Sequence, residues 1–278
     1  PVQLPKIKRL PRSLIDIKAA PRAPVHARRR GGRPLRARDL DRCRTLPLFA
    51  NMAPDAMRDL TAGAHVQRFP AGTLLLLEGD AIDFLYVLLE GQVELHGTWN
   101  DQETVLAILR PVSTFILAAV VLDADALMSA RTLERSEILM IPGDAIRRAM
   151  HLDPQFAAAV SRDLAGGYRT MVRAVKNQKL RSGIERLANY LVMLHESEEA
   201  VGPNVVMLRH EKRVLASLLG MTPENLSRAF AALRSYGVGV NGALVTINNP
   251  AALGALAKPD PLIDNHAPHT AEVVTSAD

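Results

Sequence analysis

Cysteine is almost absent from this sequence. Its 278 residues include a single cysteine, Cys43. One thiol cannot form a disulfide within the chain, and it cannot supply the four thiolates of a structural zinc site or an iron–sulfur cluster. The sequence therefore excludes a disulfide framework and argues against an iron–sulfur cofactor.

Long apolar runs and a secretory signal are also missing. No stretch approaches the roughly 20 consecutive apolar residues that a membrane helix needs. The first residues, PVQLPKIKRLPRSL, carry charges throughout and contain no apolar block, unlike a signal peptide. We therefore expect a cytoplasmic globular protein without a membrane partner, long enough for two modest domains.

Common catalytic motifs are lacking as well. The sequence contains no P-loop, no G-x-S-x-G, no H-E-x-x-H and no clustered carboxylate pair. Its acidic residues are scattered at the spacing of a solvated helix surface. The sequence therefore favours a binding protein over an enzyme.

Positive charge is concentrated at one end of the chain. Residues 1–38 contain twelve Lys or Arg and one acid, Asp16, whereas residues 39–278 contain 22 bases and 28 acids. Segments rich in Pro, Arg and Gly without an apolar period are typically disordered. We interpret residues 1–38 as a disordered basic tail, either a non-essential extension or an arm that clings weakly to DNA or acidic surfaces.

Residues 39–150 have the pattern of a small antiparallel β domain. After two short helical stretches come brief apolar runs divided by turn residues: HVQRF, TLLLL, DFLYVLLEGQVELHGTW, ETVLAIL and SARTLERSEILMIP. Gly72, Gly79 and Gly91 lie at the expected turns, where glycine adopts positive φ without steric cost. This spacing predicts a β-barrel or β-roll.

Residues 151–181 change to a helical period. Apolar or small residues recur there at spacings of four and three: Val160, Leu164, Gly167, Met171, Ala174 and Gln178. Such a seam, with small residues at its centre, allows the close approach of a second helix. The pattern predicts a dimerisation helix, and the alternative is a helix packed on its own barrel.

Residues 182–257 predict a compact DNA-binding module, followed by a C-terminal tail at 258–278. The stretch KRVLASLLGMTPENLSRAFAALRSYGV fits a helix-turn-helix and the start of a wing hairpin. Gly220 suits the tight turn, Thr222 is a good N-cap, and Pro223 suits the first helical position.

The second helix of this motif would bury its apolar residues and expose Glu224, Asn225, Ser227 and Arg228. Glutamate accepts from the cytosine amino group, and arginine donates to guanine O6 and N7. The alternative is an i,i+4 ion pair on a solvated helix. Basic residues nearby would contact phosphates. The candidate DNA contacts are Lys212, Arg213, Thr222, Glu224, Asn225, Ser227 and Arg228, with Arg209 and His210 adding positive charge beside them.

The order of barrel, long helix and winged helix-turn-helix resembles the Crp/Fnr superfamily of bacterial transcription regulators over about residues 39–257. The likeness rests on FPAGTLLLLEGDAIDFLYVLLEGQVEL and LLGMTPENLSRAFAALRSYGV. It implies an α+β fold with an N-terminal antiparallel β-roll of the cyclic-nucleotide-binding type, a long dimerisation helix and a C-terminal winged helix-turn-helix. It also implies a homodimer that binds double-stranded DNA and RNA polymerase.

The resemblance assigns base reading to Glu224 and Arg228, and Ser227 matches the Fnr-like E-x-x-S-R pattern. Crp-type readers often carry arginine where this chain has Pro223, which implies an Fnr-like palindrome with TGA in each half-site. The segment RPVSTFILAAVVL and the following LMSARTLERSEILMIP are further similar to the FtrB-like subgroup.

Cyclic-nucleotide-binding relatives hold the ribose with a Gly-Glu pair and the phosphate with Arg-Ser/Thr-Ala. Here Leu117 stands near the position of that glutamate, Met128 replaces the arginine, and Ser129 and Ala130 are retained. Arg131 should face away from Ala130 because side chains alternate along a strand. We therefore expect an effector pocket at Leu117, Met128 and Ser129 that does not bind cAMP tightly.

The effector itself stays open at this point. A small apolar molecule, or no effector, is the main expectation for this apolar pocket. Haem is an alternative cofactor, with His65, His96 or His151 as candidate ligands that no spacing singles out. A further alternative treats the C-terminal helices as a protein-interaction domain, which steep weakening of DNA binding by salt would exclude.

Overall fold

The computed structural model describes residues 32–100, 102–197 and 201–264. Most of the predicted basic tail, residues 1–31, lies outside the described residues. Residues 32–38 correct the boundary of that tail, because Arg33 pairs with Val66 through two backbone hydrogen bonds of 2.9 and 3.0 Å. The Arg33 guanidinium also binds Asp39 and Glu137, so the folded domain includes residues before position 39.

The N-terminal domain is a β-roll, as the turn spacing predicted. In the described part of the chain its strands are β1 (His65–Phe69), β2 (Leu74–Leu76), β3 (Phe84–Glu90), β4 (Val93–Trp99), β5 (Gln102–Leu109), β6 (Ser113–Phe115), β7 (Ser129–Thr132) and β8 (Ser136–Pro142). They form two antiparallel sheets, ordered β1-β8-β3-β6 and β2-β7-β4-β5. We call the second sheet the DNA-side sheet, since the C-terminal domain packs on its outer face.

The apolar runs of the sequence form the core between these sheets. All five residues from Leu85 to Leu89 are buried on β3, and Tyr86 stacks on Phe115 with ring centroids 5.0 Å apart. The predicted turn glycines all have positive φ, at +73° for Gly72, +83° for Gly79 and +91° for Gly91. At Gly91 a Cβ atom would also lie 2.6 Å from the carbonyl oxygen of Arg135, so no larger residue fits that turn.

Helices surround the roll and continue into the C-terminal domain. They are α1 (Ala37–Cys43), α2 (Pro54–Leu60), α3 (Leu117–Leu122), α4 (Gly143–Leu152), α5 (Pro154–Leu180), α6 (Gly183–Glu196), α7 (Lys212–Leu218), α8 (Pro223–Leu233), α9 (Pro250–Ala257) and α10 (Pro261–Asp264). A third antiparallel sheet, ordered β10-β11-β9, lies in the C-terminal domain and consists of β9 (Val205–Met207), β10 (Val238–Asn241) and β11 (Leu244–Ile247).

The long helix α5 begins at Pro154 rather than at residue 151, because Asp153 ends α4 and caps α5. The Asp153 side chain accepts hydrogen bonds from the backbone amides of Gln155 and Phe156. The 27 residues of α5 span about 40 Å at 1.5 Å per residue. Its first two turns pack on the roll, and its remainder extends towards the C-terminal domain.

The start of the predicted C-terminal tail is ordered and packs on α5. Arg181, just after α5, donates to both carboxylate oxygens of Asp264 at 2.6 Å and to the Lys258 carbonyl oxygen at 3.0 Å. Ile263 is buried beside them. Residues 258–264 therefore belong to the folded domain, while residues 265–278 lie outside the described residues.

Candidate nucleic-acid interface

Helices α7 and α8 form the helix-turn-helix that the sequence predicted. Gly220 lies in the turn with φ +61°, and a Cβ atom there would collide with the Gln178 side chain at the end of α5. Thr222 caps α8 by accepting a hydrogen bond of 3.2 Å from the amide of Asn225. Pro223 occupies the first helical position. The local chemistry of the turn thus sets where the second helix begins.

Helix α8 separates its residues as the periodicity predicted. Leu226, Phe230 and Leu233 are buried against α6, α7 and the small sheet. The opposite face is fully open to solvent. It carries the candidate base-reading residues Glu224, Asn225, Ser227 and Arg228.

The Glu224 carboxylate and the Arg228 guanidinium remain available on this face. No ion pair within 4 Å joins them in the described structure. The pKa of Glu224 is lowered mainly by a hydrogen bond with the Thr222 hydroxyl, and the charge of Arg228 contributes less. Ser227 donates to the Pro223 carbonyl oxygen at 3.0 Å. An ionised acceptor and a free guanidinium one helical turn apart can each meet a base edge.

The basic residues near α7 differ in their surroundings. Lys212 and Arg213 are both exposed at the start of the helix, but Arg213 lines a pocket that faces the roll. Burial, helped by the nearby Arg110 and Arg209, lowers the pKa of His210 to about 4. His210 is therefore neutral at pH 7, and the expectation that it adds positive charge is corrected.

One residue that sequence reasoning missed fixes the turn to the long helix. The Arg186 guanidinium, buried on α6, donates to the carbonyl oxygens of Leu219 at 2.8 Å, Arg181 at 2.6 Å and Gly220 at 3.3 Å. Burial lowers its pKa from the ordinary arginine value. A lone arginine in an apolar helix was the available signal. Its partners are carbonyls, which a sequence does not reveal.

The three predicted effector residues have different surroundings. Leu117 is buried in the core, Met128 packs against that core, and the Ser129 hydroxyl accepts a hydrogen bond of 3.0 Å from the amide of Glu78. Arg131 faces away from Ala130, as strand alternation predicted, on the face of the sheet that also carries Ser129, and it binds Glu94 at 2.5 Å. Arg131 therefore does not replace the missing guanidinium at Met128.

The three candidate haem ligands are not brought together. His65 lies on β1 with its ring 5.6 Å from that of Phe84, His96 is buried on β4, and His151 is exposed near the end of α4. In the described part of the chain no group of three His, Cys, Asp or Glu residues could hold a metal ion. The Cys43 thiol is buried, which raises its pKa to about 12.

The residues of the predicted dimer seam differ in burial along α5. Val160 is fully buried in the roll's own core, so it cannot contact a second copy. Leu164, Gly167 and Ala174 are half-buried, and Met171 is 52% exposed. An exposed apolar stripe lies on the same part of the helix: it contains Met171 and three residues that the heptad pattern did not include, Tyr168, Val172 and Val175.

Among the described residues, no helix is both long enough and apolar enough to cross a membrane. Two family models match the chain. The model for the cyclic nucleotide-binding domain matches residues 66–153, and the model for the Crp-like helix-turn-helix domain matches residues 185–256. These ranges coincide with the roll and with the module built around α7 and α8.

Similar proteins of known role extend over both domains. The CRP-like cAMP-activated global transcriptional regulator of Mycobacterium tuberculosis is 23% identical over 215 residues, covering 76% of this chain and 96% of that protein. The global nitrogen regulator of Synechococcus elongatus is 22% identical over 205 residues, covering 70% of this chain and 92% of that protein.

Solved structures share the fold. The c-di-GMP-responsive global regulator CLP of Xanthomonas campestris aligns with a TM-score of 0.61 and 20% identity, covering 70% of this chain and 99% of that one. FixK2 of Bradyrhizobium japonicum aligns with a TM-score of 0.58 and 19% identity, covering 69% and 96%.

Proposed function

Because the chain belongs to the Crp/Fnr superfamily of transcription regulators, we propose that it acts as a homodimer on a palindromic operator with TGA in each half-site. The observation that carries this proposal is the exposed face of α8. Glu224 and Arg228 make no ion pair with each other in the described structure, and Ser227 lies between them in the sequence. Three base-edge groups at the start of a recognition helix suit adjacent base pairs of the major groove.

The absence of an arginine before Glu224 supports the choice of half-site. Pro223 occupies the first position of α8 and has no side-chain donor for a base. The reading set is thus limited to residues of the E-x-x-S-R pattern. Lys212, exposed at the start of α7, would contact a phosphate and add affinity without sequence preference.

Operator selection from random double-stranded DNA tests this proposal. We expect enrichment of an inverted repeat containing TGA, and we expect the Glu224→Ala, Arg228→Ala double variant to lose it. Arg234→Ala is the matched control, because Arg234 is an exposed arginine just beyond α8. Footprinting of the same operator by the double variant would show that other residues read the bases.

Dimerisation would use the second half of α5. Tyr168, Met171, Val172 and Val175 form an exposed apolar stripe at helical spacing, which is costly to leave in water. Two-fold symmetry would place the two copies of α8 about one DNA turn apart. In sedimentation, Met171→Asp with Val175→Asp should give monomers, whereas Lys179→Asp, on an exposed residue at the end of the helix, should leave dimers.

We also propose that cAMP is not the effector, although a relative is named as cAMP-activated. Leu117 and Met128 supply neither an acceptor for a ribose hydroxyl nor a cation for a phosphate. The apolar effector pocket at Leu117, Met128 and Ser129 stays a proposal, as does contact with RNA polymerase. Titration calorimetry with cAMP should show no saturable heat, and tight one-to-one binding would refute this assignment.

A further inference from the structure

A polar pocket of about 400 Å³ lies between the two domains, outside the interior of the roll. One wall is the outer face of the DNA-side sheet, which contributes Glu94 and His96 from β4 and Arg131 from β7. The other wall is α7, which contributes Arg213 and Ser217. We call this space the interdomain pocket. Its volume lies in the range of small-molecule sites.

The roll side of this pocket presents a buried nitrogen without a partner. The His96 side chain is 5% exposed, and its Nδ1 atom makes no hydrogen bond in the described structure. The nearest acid oxygen, Oε1 of Glu94, is 3.7 Å from this nitrogen, beyond hydrogen-bond reach. Buried polar atoms normally have a partner, so the pocket leaves one hydrogen-bonding group unmatched.

Arg131 lies against both acids that face the pocket. Its guanidinium Nη2 lies 2.5 Å from Oε1 of Glu94 and 3.6 Å from Oε2 of Glu103. Arg131 is therefore shared between two carboxylates. Its single charge offsets the buried Glu94, and the charge of Glu103, whose side chain is 49% exposed, is screened by water.

The α7 side of the pocket presents an unmatched cation. Among the described residues Arg213 makes no ion pair or hydrogen bond, and Ser217 accepts a hydrogen bond of 2.7 Å from the amide of Val105 on β5. The groups left open are thus the Arg213 guanidinium and the His96 imidazole. Both can donate to an oxyanion.

We propose that the interdomain pocket binds a small anion, a carboxylate or a phosphate, between Arg213 of α7 and His96 of β4. Such a ligand joins the roll to the first helix of the DNA-binding motif and stabilises the contact between them. Anion binding stands on the pocket alone. Its role as an effector of DNA binding rests on the proposed function.

Titration calorimetry on the full chain without DNA tests the proposal. The probes are glycerol 3-phosphate, succinate and inorganic phosphate, so that phosphate and carboxylate ligands are distinguished. We expect saturable binding of at least one probe at one site per subunit. Arg213→Met and His96→Gln should each weaken that binding at least tenfold, whereas Arg234→Met, which removes an exposed arginine elsewhere in the same domain, should change it less than twofold.

Several outcomes would overturn the assignment. One is that no probe gives saturable heat. Another is that Arg213→Met binds the anion as tightly as the wild type does, or that Arg234→Met weakens anion binding as much as Arg213→Met does. Because His96 is buried, His96→Gln is first checked for native circular dichroism, and the exposed Arg213 keeps the test decisive if that variant misfolds. Operator selection with Glu224→Ala and Arg228→Ala is measured separately, so failure of the DNA proposal and failure of the anion site are distinguishable.

Discussion

The two helices of the DNA-binding motif face different surroundings. The outer face of α8 is open and meets no other element, whereas α7 is docked on the roll. Val214 and Leu218 of α7 pack with Ile108 of the DNA-side sheet, and Ser217 binds the amide of Val105. The proposed reading surface is therefore presented directly, while the helix that supports it is the one in contact with the roll.

Arg228→Ala should have the largest effect, because it removes a proposed base contact from the open helix. A bidentate arginine–guanine contact is worth about 1–3 kcal/mol of discrimination, which corresponds to roughly a 5- to 150-fold loss of operator preference. Lys212→Ala, on the docked helix, should instead weaken binding to all DNA sequences alike. It should reduce the slope of the logarithm of the binding constant against the logarithm of the salt concentration by about 1. Anisotropy titrations at several salt concentrations separate these outcomes, and a uniform loss in Arg228→Ala would contradict base reading.

Arg186→Met tests how both helices are held to the end of α5. The carbonyl oxygens of Leu219, Arg181 and Gly220 would each lose a donor. We expect the free energy of unfolding to fall by about 1–3 kcal/mol, measured by urea denaturation. Arg234→Met serves as the exposed control. If Arg186→Met unfolds like the wild type, the hydrogen bonds from Arg186 to these carbonyl groups do not stabilise the helix-turn-helix.

His210 makes the stability of this region depend on pH. Its pKa is about 4 in the fold and about 6.5 in the unfolded chain, so the unfolded state binds the proton more tightly. Between pH 6.5 and 4, stability should therefore fall as pH falls. After allowance for partial exposure, the loss at pH 5 should be about 1 kcal/mol, and His210→Gln should remove it. Melting curves of both proteins at pH 7 and pH 5 measure the difference.

Ser217→Ala should have the smallest effect on stability and should act only at the docked helix. It removes one hydrogen bond, worth about 0.5–1.5 kcal/mol. Because the outer face of α8 is exposed, operator preference should stay unchanged while amide exchange at Val105 becomes faster. Unaltered exchange at Val105 would show that the contact between α7 and the roll does not depend on this bond.

Much of the architecture was predictable because it depends on local chemistry. The turn glycines at 72, 79 and 91 have the expected positive φ, and the cap at Thr222 and the alternating faces of α8 are confirmed. These features follow from backbone sterics, capping and periodicity within a few residues. The resemblance added the order of the domains, which the family matches confirm. The FtrB-like placement, the half-site and the base-reading roles stay predictions.

Features that depend on distant partners were not predictable in the same way. Val160 fits a heptad seam equally well whether it meets a second helix or its own roll, and only the docking of α5 shows the latter. The tail boundary failed for the same reason, since Arg33 is held by Glu137, 104 positions away.

The sequence by itself determined the secondary structure, the turn geometry and the exposed polar face of α8, because each of these is decided by neighbours along the chain. Only the tertiary structure decided that His210 is neutral, that Arg186 binds four carbonyl groups, and that His96 and Arg213 line one pocket. The pKa of a group and the partner it binds are set by what packs around it, and in this fold those surroundings come from residues remote in sequence.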